Sequence, residues 1–335
     1  MDAFDYGLPP EAIAQAPAEP RDSARLLDDS GPAERSVHRR VGDLPDLLGE
    51  GDILVLNDTR VLPARLRLHK ETGGAVEVLL VEPLDGDRWE ALVRPSRRVR
   101  PGTRLTAGPD LEIEVGEPIG AGRRVVRLRA GEDGVLAALE RHGEVPLPPY
   151  ITAPLADPER YQTVYAARPG SVAAPTAGLH LTSSVLDRCR ARGVAVERVD
   201  LAVGLATFRP VTAERAEDHV MHAERYRVPA ATMAACRAAE RVVAVGTTTV
   251  RALESAAATG RLEGRTDLFI RRGFRFEVVD ALLTNFHLPR SSLLLLVDAF
   301  IGDRWRTLYD IALRDGYRFL SFGDAMFIPR RGPAA

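Results

Sequence analysis

Two kinds of hydrophobic pattern follow one another along the chain. After about fifty residues of proline-punctuated segments, the apolar run GDILVLN (Gly51–Asn57) predicts a buried strand. From Val61 to about Arg129 the runs are short and alternating: ARLRL, GAVEVLLVEP, RWEALVRP, LEIEVGEP and GRRVVRLRA, separated by Gly, Pro and Asp. Short strands at such regular spacing predict a small antiparallel barrel or sandwich. A short helix, DGVLAALERHG (Asp133–Gly143), closes this region, and VPLPPYI (Val145–Ile151) is a proline-stiffened crossing.

Beyond Tyr161 strands and helices take turns. LTSSVLDRCRARG predicts a helix capped by Thr182 or Ser183 and ended by Gly193, and VAVERVDLAVG a strand. A helix around Ala230–Glu240, the strand RVVAVG, the helix TTTVRALESAAATG and the strand TDLFI follow. The helix SSLLLLVDAFIG and a last helix from Asp303 to Asp315 complete the series. This alternation predicts a largely parallel sheet with helices packed on it. The expected fold class is therefore α/β: a large discontinuous domain of residues 1–60 and 150–335, with a small β domain of residues 61–149 inserted.

Composition alters this picture little. The chain has 335 residues, 45% hydrophobic and 27% charged, enough for two domains with cores of their own. The longest apolar run, around Leu293–Val297, is far shorter than the roughly 20 residues a bilayer crossing needs. The start, MDAFDYGLPPE, lacks the basic and apolar regions of a signal peptide, so a cytoplasmic protein with no membrane partner is expected. Cys189 and Cys236 are then read as buried free thiols. A net charge of −2 argues against a generic nucleic-acid coat but leaves room for a local basic patch. Nearly all the basic residues are arginine; Lys70 is the only lysine.

Several stretches carry candidate chemistry. GTTTVRALES (Gly246–Ser255) places a strand-to-helix corner where open α/β sheets bind ligands. Free amides there favour an anion, with Arg251 one turn further on; a plain helix cap, with Arg251 solvated or salt-bridged to Glu254 or a neighbour, is the competing reading. AEDHVMHAERY (Ala216–Tyr226) brings His219, His222 and Glu224 together as acid–base groups, a weak metal site or a polar turn. TNFHLPRSSLLLLVDAF (Thr284–Phe300) sets Asn285 and His287 before an apolar helix, and SVAAPTAGLHLTSS (Ser171–Ser184) surrounds His180 with small residues that let a ligand approach. RFLSFGDAMFI (Arg318–Ile328) reads as an apolar strand broken by Gly323-Asp324, which read as a turn. Arginines of RPSRRVRPGTR (Arg94–Arg104), and Arg123, Arg124, Arg127 and Arg129, are candidates for an RNA backbone or for simple edge protection. No P-loop is present, nor a G-x-G-x-x-G turn after a first strand.

Taken together and in order, these stretches resemble the S-adenosylmethionine:tRNA ribosyltransferase-isomerase family of the queuosine pathway. The resemblance runs nearly end to end, through FDYGLPPEAIAQAPAEPRDSARLL, GDILVLNDTRVLPARL, GEVPLPPYI, YQTVYA, SVAAPTAGLHLT, EDHVMH, GTTTVRALES, TNFHLPRSSLLLLVDAF and YRFLSFGDAMFI. It implies a large α/β barrel-like domain with an inserted small antiparallel β-barrel. It also implies transfer and rearrangement of the ribosyl part of S-adenosylmethionine, as co-substrate, onto 7-aminomethyl-7-deazaguanine at the tRNA wobble position. The product is epoxyqueuosine, adenine and methionine leave, and no metal is expected. A monomer acting on tRNA is the expected state. The reaction needs proton transfers, for which His180, His222 and His287 are the candidates. Thr176, Gly178, Gly246, Thr247, Thr248, Arg251, Asn285 and Asp324 are expected to bind substrate, and Arg94, Arg97, Arg98 and Arg100 to contact RNA. Where the family pattern reads LHVG-x-GTF this chain reads LAVGLATF (Leu201–Phe208), with Ala202 in place of the histidine, and Phe322 replaces a common tyrosine. A tRNA-binding relative without catalysis, or one with altered activity, is the alternative these departures leave open.

Overall fold

The computed structural model describes residues 1–31, 35–120, 122–204, 211, 213, 215–219 and 221–330. Ala206 and Phe208, two of the positions in LAVGLATF, lie outside the described residues. The chain forms two compact units: Met1–Thr59, Pro149–Arg168 and Ala174–Ala335 make the larger, Arg60–Pro148 with Pro169–Ala173 the smaller. The five residues Pro169–Ala173, expected in the large domain, belong to the small one.

In the smaller unit Arg65–Lys70, Ala75–Pro83, Arg88–Arg94, Arg123–Ala130, Leu111–Gly120 and Arg104–Thr106 pair in that order, and Arg65–Lys70 also pairs with Arg104–Thr106. The ring therefore closes as a six-stranded antiparallel barrel, without free edges in that ring. Alternation explains its interior: Leu66, Leu68, Val76, Val78, Ile113, Val115, Val126 and Leu128 are all buried. Arg104–Thr106, the strand that closes the ring, has three residues, too few for a readable alternation.

The larger unit holds a nine-stranded sheet, numbered here within that unit. Its strands are β1 (Arg25–Asp28), β2 (Val37–Arg40), β3 (Asp52–Asn57), β4 (Ala195–Leu201), β5 (Glu224–Arg227), β6 (Arg241–Val245), β7 (Glu263–Thr266), β8 (Ala281–Asn285) and β9 (Ala325–Pro329). The order is β7-β5-β4-β3-β6-β8-β9-β1-β2. β4, β3, β6 and β8 run parallel at the centre. The helices are α1 (Ser183–Ala191), α2 (Ala230–Ala238), α3 (Thr247–Thr259), α4 (Ser292–Ile301) and α5 (Arg304–Arg314). Every residue of β3 is buried, as a strand covered on both faces must be. Leu54, Leu56, Val243, Val245 and Leu283 share one core with Val185, Leu186 and Cys189 of α1. Burying each of the larger aliphatics contributes about 1.5–3 kcal/mol. Cys189 and Cys236 are free and buried. Thr182, not Ser183, caps α1, its hydroxyl accepting from the Val185 amide at 3.2 Å.

Two expected strands differ in place. TDLFI was expected to form a strand, but β7 ends at Thr266. Beyond the strand the Leu268 carbonyl accepts from the Arg251 guanidinium at 3.2 Å, as the Thr266 carbonyl does at 3.4 Å. RFLSFGDAMFI supplies β9 only from Ala325; before it, the Asp324 carboxylate accepts from the Arg25 and Arg318 amides at 2.9 and 2.8 Å and from the Arg25 guanidinium. That bend requires Gly323, where an added Cβ would collide with the Arg318 and Phe319 backbone.

Gly323→Ala should consequently destabilise the protein by about 2–4 kcal/mol, read as a lowered midpoint in urea unfolding. Gly131→Ala, whose Cβ would meet only the Asp110 side chain at 3.5 Å, serves as the comparison and should shift the midpoint far less.

Candidate active site

β3 leads by its connection to β4 on one side, whereas β6 leads to β8 on the other, so the sheet changes direction between β3 and β6. At the carboxyl ends of such strands a crevice opens. Asn57, the last residue of β3 and fully buried, spans it. Its side-chain amide donates to the Leu201 carbonyl at 3.0 Å and to Thr248 Oγ1 at 3.3 Å, and its Oδ1 accepts from the Leu201 amide at 3.1 Å. One side chain thus ties the ends of β3 and β4 to the first turn of α3. Sequence reasoning stopped at Asn57 as a strand end; the polar NDT following an apolar strand was the available signal.

Gly246 caps α3 with φ of 86°, a conformation that favours glycine, and aims the chain into the helix. Beside it lies a small recess walled by Gly246, Thr247, Thr248, Thr176, Asn285 and His287. A neighbouring small recess shares Thr176, Asn285 and His287 and adds Tyr150 and Ser321. The α3 amino terminus offers unpaired amides and a positive dipole end to the first of these.

Asn285 ends β8. Its Oδ1 accepts from Thr176 Oγ1 at 2.9 Å, so its Nδ2 faces His180 Nε2, also at 2.9 Å. His180 Nε2 therefore accepts, and the ring is neutral. Burial, with smaller effects from Arg318 and Arg21 and an opposing one from Asp324, pushes its pKa down to about 4. His287 is held differently. Its amide donates to Tyr309 Oη at 2.9 Å, its carbonyl accepts from the Tyr6 hydroxyl, and its Nε2 lies 3.0 Å from Thr284 Oγ1. Burial lowers its pKa to about 3. Thr284, Tyr6 and Tyr309 were not among the expected site residues.

Thr176, Gly246, Thr247, Thr248, Asn285 and His287 therefore converge on these recesses, with His180 bonded directly behind Asn285. Gly178 serves close packing: a Cβ there would overlap the Tyr165 hydroxyl. Three expected residues stand apart. Arg251 is buried in an ion pair with Glu224, whose Oε1 also accepts from the Gly204 amide at 2.9 Å. Asp324 is turned inward as described, and His222 is exposed before β5. Among the described residues no cluster of three or more His, Cys, Asp or Glu side chains is placed to hold a metal. Ala202 lies outside both recesses, whereas the next residue, Val203, lines the first. Phe322 packs edge-on against Tyr161 at 5.8 Å.

Arg94, Arg97, Arg98 and Arg100 of the smaller unit are all exposed, and none has an ion pair among the described residues. Arg123, Arg127 and Arg129 instead pair with Glu90, Asp87 and Glu112 on adjoining segments.

Recesses at the carboxyl ends of an open α/β sheet, beside a helix amino terminus and lined by polar side chains, are the arrangement in which α/β enzymes bind a small substrate. The chain belongs to the family described as queuosine biosynthesis protein, whose model matches residues 1–328. It is 53% identical to an S-adenosylmethionine:tRNA ribosyltransferase-isomerase of Rubrobacter xylanophilus over 98% of this chain and 97% of that one. A protein of the same name from Thermus thermophilus is 52% identical over 98% of this chain and 99% of its own. The crystal structure of an S-adenosylmethionine tRNA ribosyltransferase from Thermotoga maritima matches with a TM-score of 0.55 and 37% identity, covering 97% of this chain and 99% of that one. Among the described residues no helix is long and apolar enough to cross a membrane.

The two histidines make the fold sensitive to acid. Both have folded pKa values below the roughly 6.5 of the unfolded chain, so the unfolded state binds more protons between about pH 4 and 6.5. Stability is full above that window and falls as pH drops through it, by up to about 1.4 kcal/mol per pH unit for each histidine. Urea unfolding at pH 7, 6 and 5 should show this, and His180→Gln should shallow the slope; an unchanged slope would contradict the neutral ring.

Proposed function

We propose that this chain is an S-adenosylmethionine:tRNA ribosyltransferase-isomerase. It moves the ribosyl part of S-adenosylmethionine onto 7-aminomethyl-7-deazaguanine at the tRNA wobble position. Rearrangement yields epoxyqueuosine, with release of adenine and methionine. The observation that carries this reading is the family match over residues 1–328, supported by Thr176, Asn285 and His287 gathered in the wall of both recesses.

The chemistry assigns roles by contact. The sulfonium acidifies the adjacent ribose carbon, and a neutral base must take its proton. Thr284 occupies Nε2 of His287, leaving Nδ1 without a protein partner among the described residues. His287 is therefore the proton-transfer group. His180, whose Nε2 is taken up by Asn285, acts through that amide as a positioning residue. Asn285 and Thr176 contact the sugar, and Gly246, Thr247 and Thr248 present the α3 amides to the methionine carboxylate. S-adenosylmethionine is a co-substrate here, and the reading carries no metal. Arg94, Arg97, Arg98 and Arg100, exposed and unpaired, contact the tRNA backbone. The enzyme acts as a monomer in the cytoplasm.

Incubation with S-adenosylmethionine and tRNA bearing the aminomethyl-deazaguanine, followed by nucleoside mass spectrometry, tests the reading. The expected result is epoxyqueuosine with matching adenine release. His287→Ala should lower kcat about 100-fold or more. His180→Gln should lose less, and His222→Ala should stay near wild type. Adenine release without a modified nucleoside, or no release, would overturn the assignment.

A further inference from the structure

Thr284, one residue before the end of β8, is buried, and its hydroxyl lies 3.0 Å from His287 Nε2. Among the described residues that nitrogen is the only partner of Thr284 Oγ1. The His287 backbone is pinned on both sides. The Tyr309 hydroxyl accepts from its amide at 2.9 Å, and the Tyr6 hydroxyl donates to its carbonyl. The two tyrosine rings meet edge-on at 5.2 Å, so both holds belong to one aromatic cluster. The Thr284 hydroxyl hydrogen, free to rotate, is the mobile part of this arrangement.

A neutral imidazole carries one ring hydrogen, and the direction of this hydrogen bond says where it sits. Where Thr284 donates to Nε2, the ring hydrogen is on Nδ1, and Nδ1 cannot take a proton. Where Thr284 accepts from Nε2–H, the Nδ1 lone pair is bare, but the hydroxyl hydrogen then needs an acceptor of its own. A buried donor without an acceptor is costly. No described residue supplies one, so the first arrangement is favoured without ligand. Thr284 also lines the first recess, together with Gly246, Thr247 and Thr248. A carboxylate drawn there by the α3 amides offers the missing acceptor, because an ionised carboxylate only accepts.

We infer that Thr284 is a positioning residue that couples carboxylate binding in the first recess to the tautomer of His287. The bound carboxylate accepts from the Thr284 hydroxyl, Oγ1 accepts from Nε2–H, and Nδ1 is left as the proton acceptor. The hydrogen on Nδ1 passes to water and another reaches Nε2 from water, so the imidazole stays neutral throughout. This rests on the function proposed above, in which the carboxylate is the methionine end of S-adenosylmethionine. The base is then competent only when its substrate is in place.

The test is nitrogen-15 NMR of the full chain with labelled histidine, His287 being the signal lost in His287→Gln, together with turnover on tRNA. Adding S-adenosylmethionine without tRNA should move the His287 ring hydrogen from Nδ1 to Nε2. Decarboxylated S-adenosylmethionine, which lacks the acceptor, should leave it on Nδ1. Thr284→Val, which removes the hydroxyl at nearly constant shape, should lower kcat about 100-fold with a smaller change in KM. Thr284→Ser should recover most of that loss. A ring hydrogen that stays on one nitrogen with and without S-adenosylmethionine would overturn the coupling and leave the function standing. So would equal movement with the decarboxylated compound, or Thr284→Val turning over like the unsubstituted chain. A tautomer shift without epoxyqueuosine would overturn the function and leave the coupling standing. Failure of the unsubstituted chain to bind S-adenosylmethionine would overturn both.

Discussion

Everything at the working end of the larger unit depends on the Asn57 side chain. A parallel sheet leaves the carboxyl ends of its strands unpaired, and buried polar groups there must find partners or cost about 1–3 kcal/mol each. Asn57 meets that demand in three directions, toward both backbone groups of Leu201 and toward Thr248. It uses donor and acceptor together, which no isosteric aspartate or leucine does. The crevice between β3 and β6 is thereby held at one width, and the α3 amino terminus at one height above it.

From this frame the second amide of the site gains its meaning. Asn285 ends the neighbouring strand as Asn57 ends β3, but it looks to side chains rather than backbone. Thr176 fixes which way its amide points, and that orientation makes the His180 ring an acceptor. Burial acts in the same direction, holding both histidines neutral far below physiological pH. Burial therefore leaves both rings able to accept a proton but makes them weaker bases than a solvated imidazole.

Much of this was legible in the sequence where local physics dominates. The α/β alternation, the helix capped at Thr182 or Ser183, the strand-to-helix corner at Gly246 and the apolar helix after His287 follow from periodicity and capping residues, whereas β8, which Asn285 ends, was not read as a strand. What was not legible depends on partners distant in the chain. β5 and β7, with sequences ERYR and EGRT, carry no strand signal beyond two alternating arginines and form through mutual pairing. Arg251 stayed open between an anion-binding cation and a salt-bridged residue because its partner, Glu224, lies 27 residues earlier and could not be matched to it before the fold was known. Arg104–Thr106 closes the small barrel through register, not through composition.

The strand β5 also shows how one element separates two chemistries. Glu224 and Arg225 are adjacent in sequence but face opposite ways, one sealing Arg251 inside and the other facing out. Val203 and Ala202 divide likewise, the former lining the first recess and the latter bonded through its amide to the Arg225 carbonyl. A slip of one residue would exchange these roles, burying an arginine and exposing the glutamate. The Tyr226 hydroxyl, donating to the Arg261 carbonyl at 2.9 Å, and the Ala202 amide bond oppose such a slip from the two sides of the strand. Because the register fixes both faces at once, the burial of Glu224 against Arg251 and the exposure of Arg225 are set by the same backbone pairing.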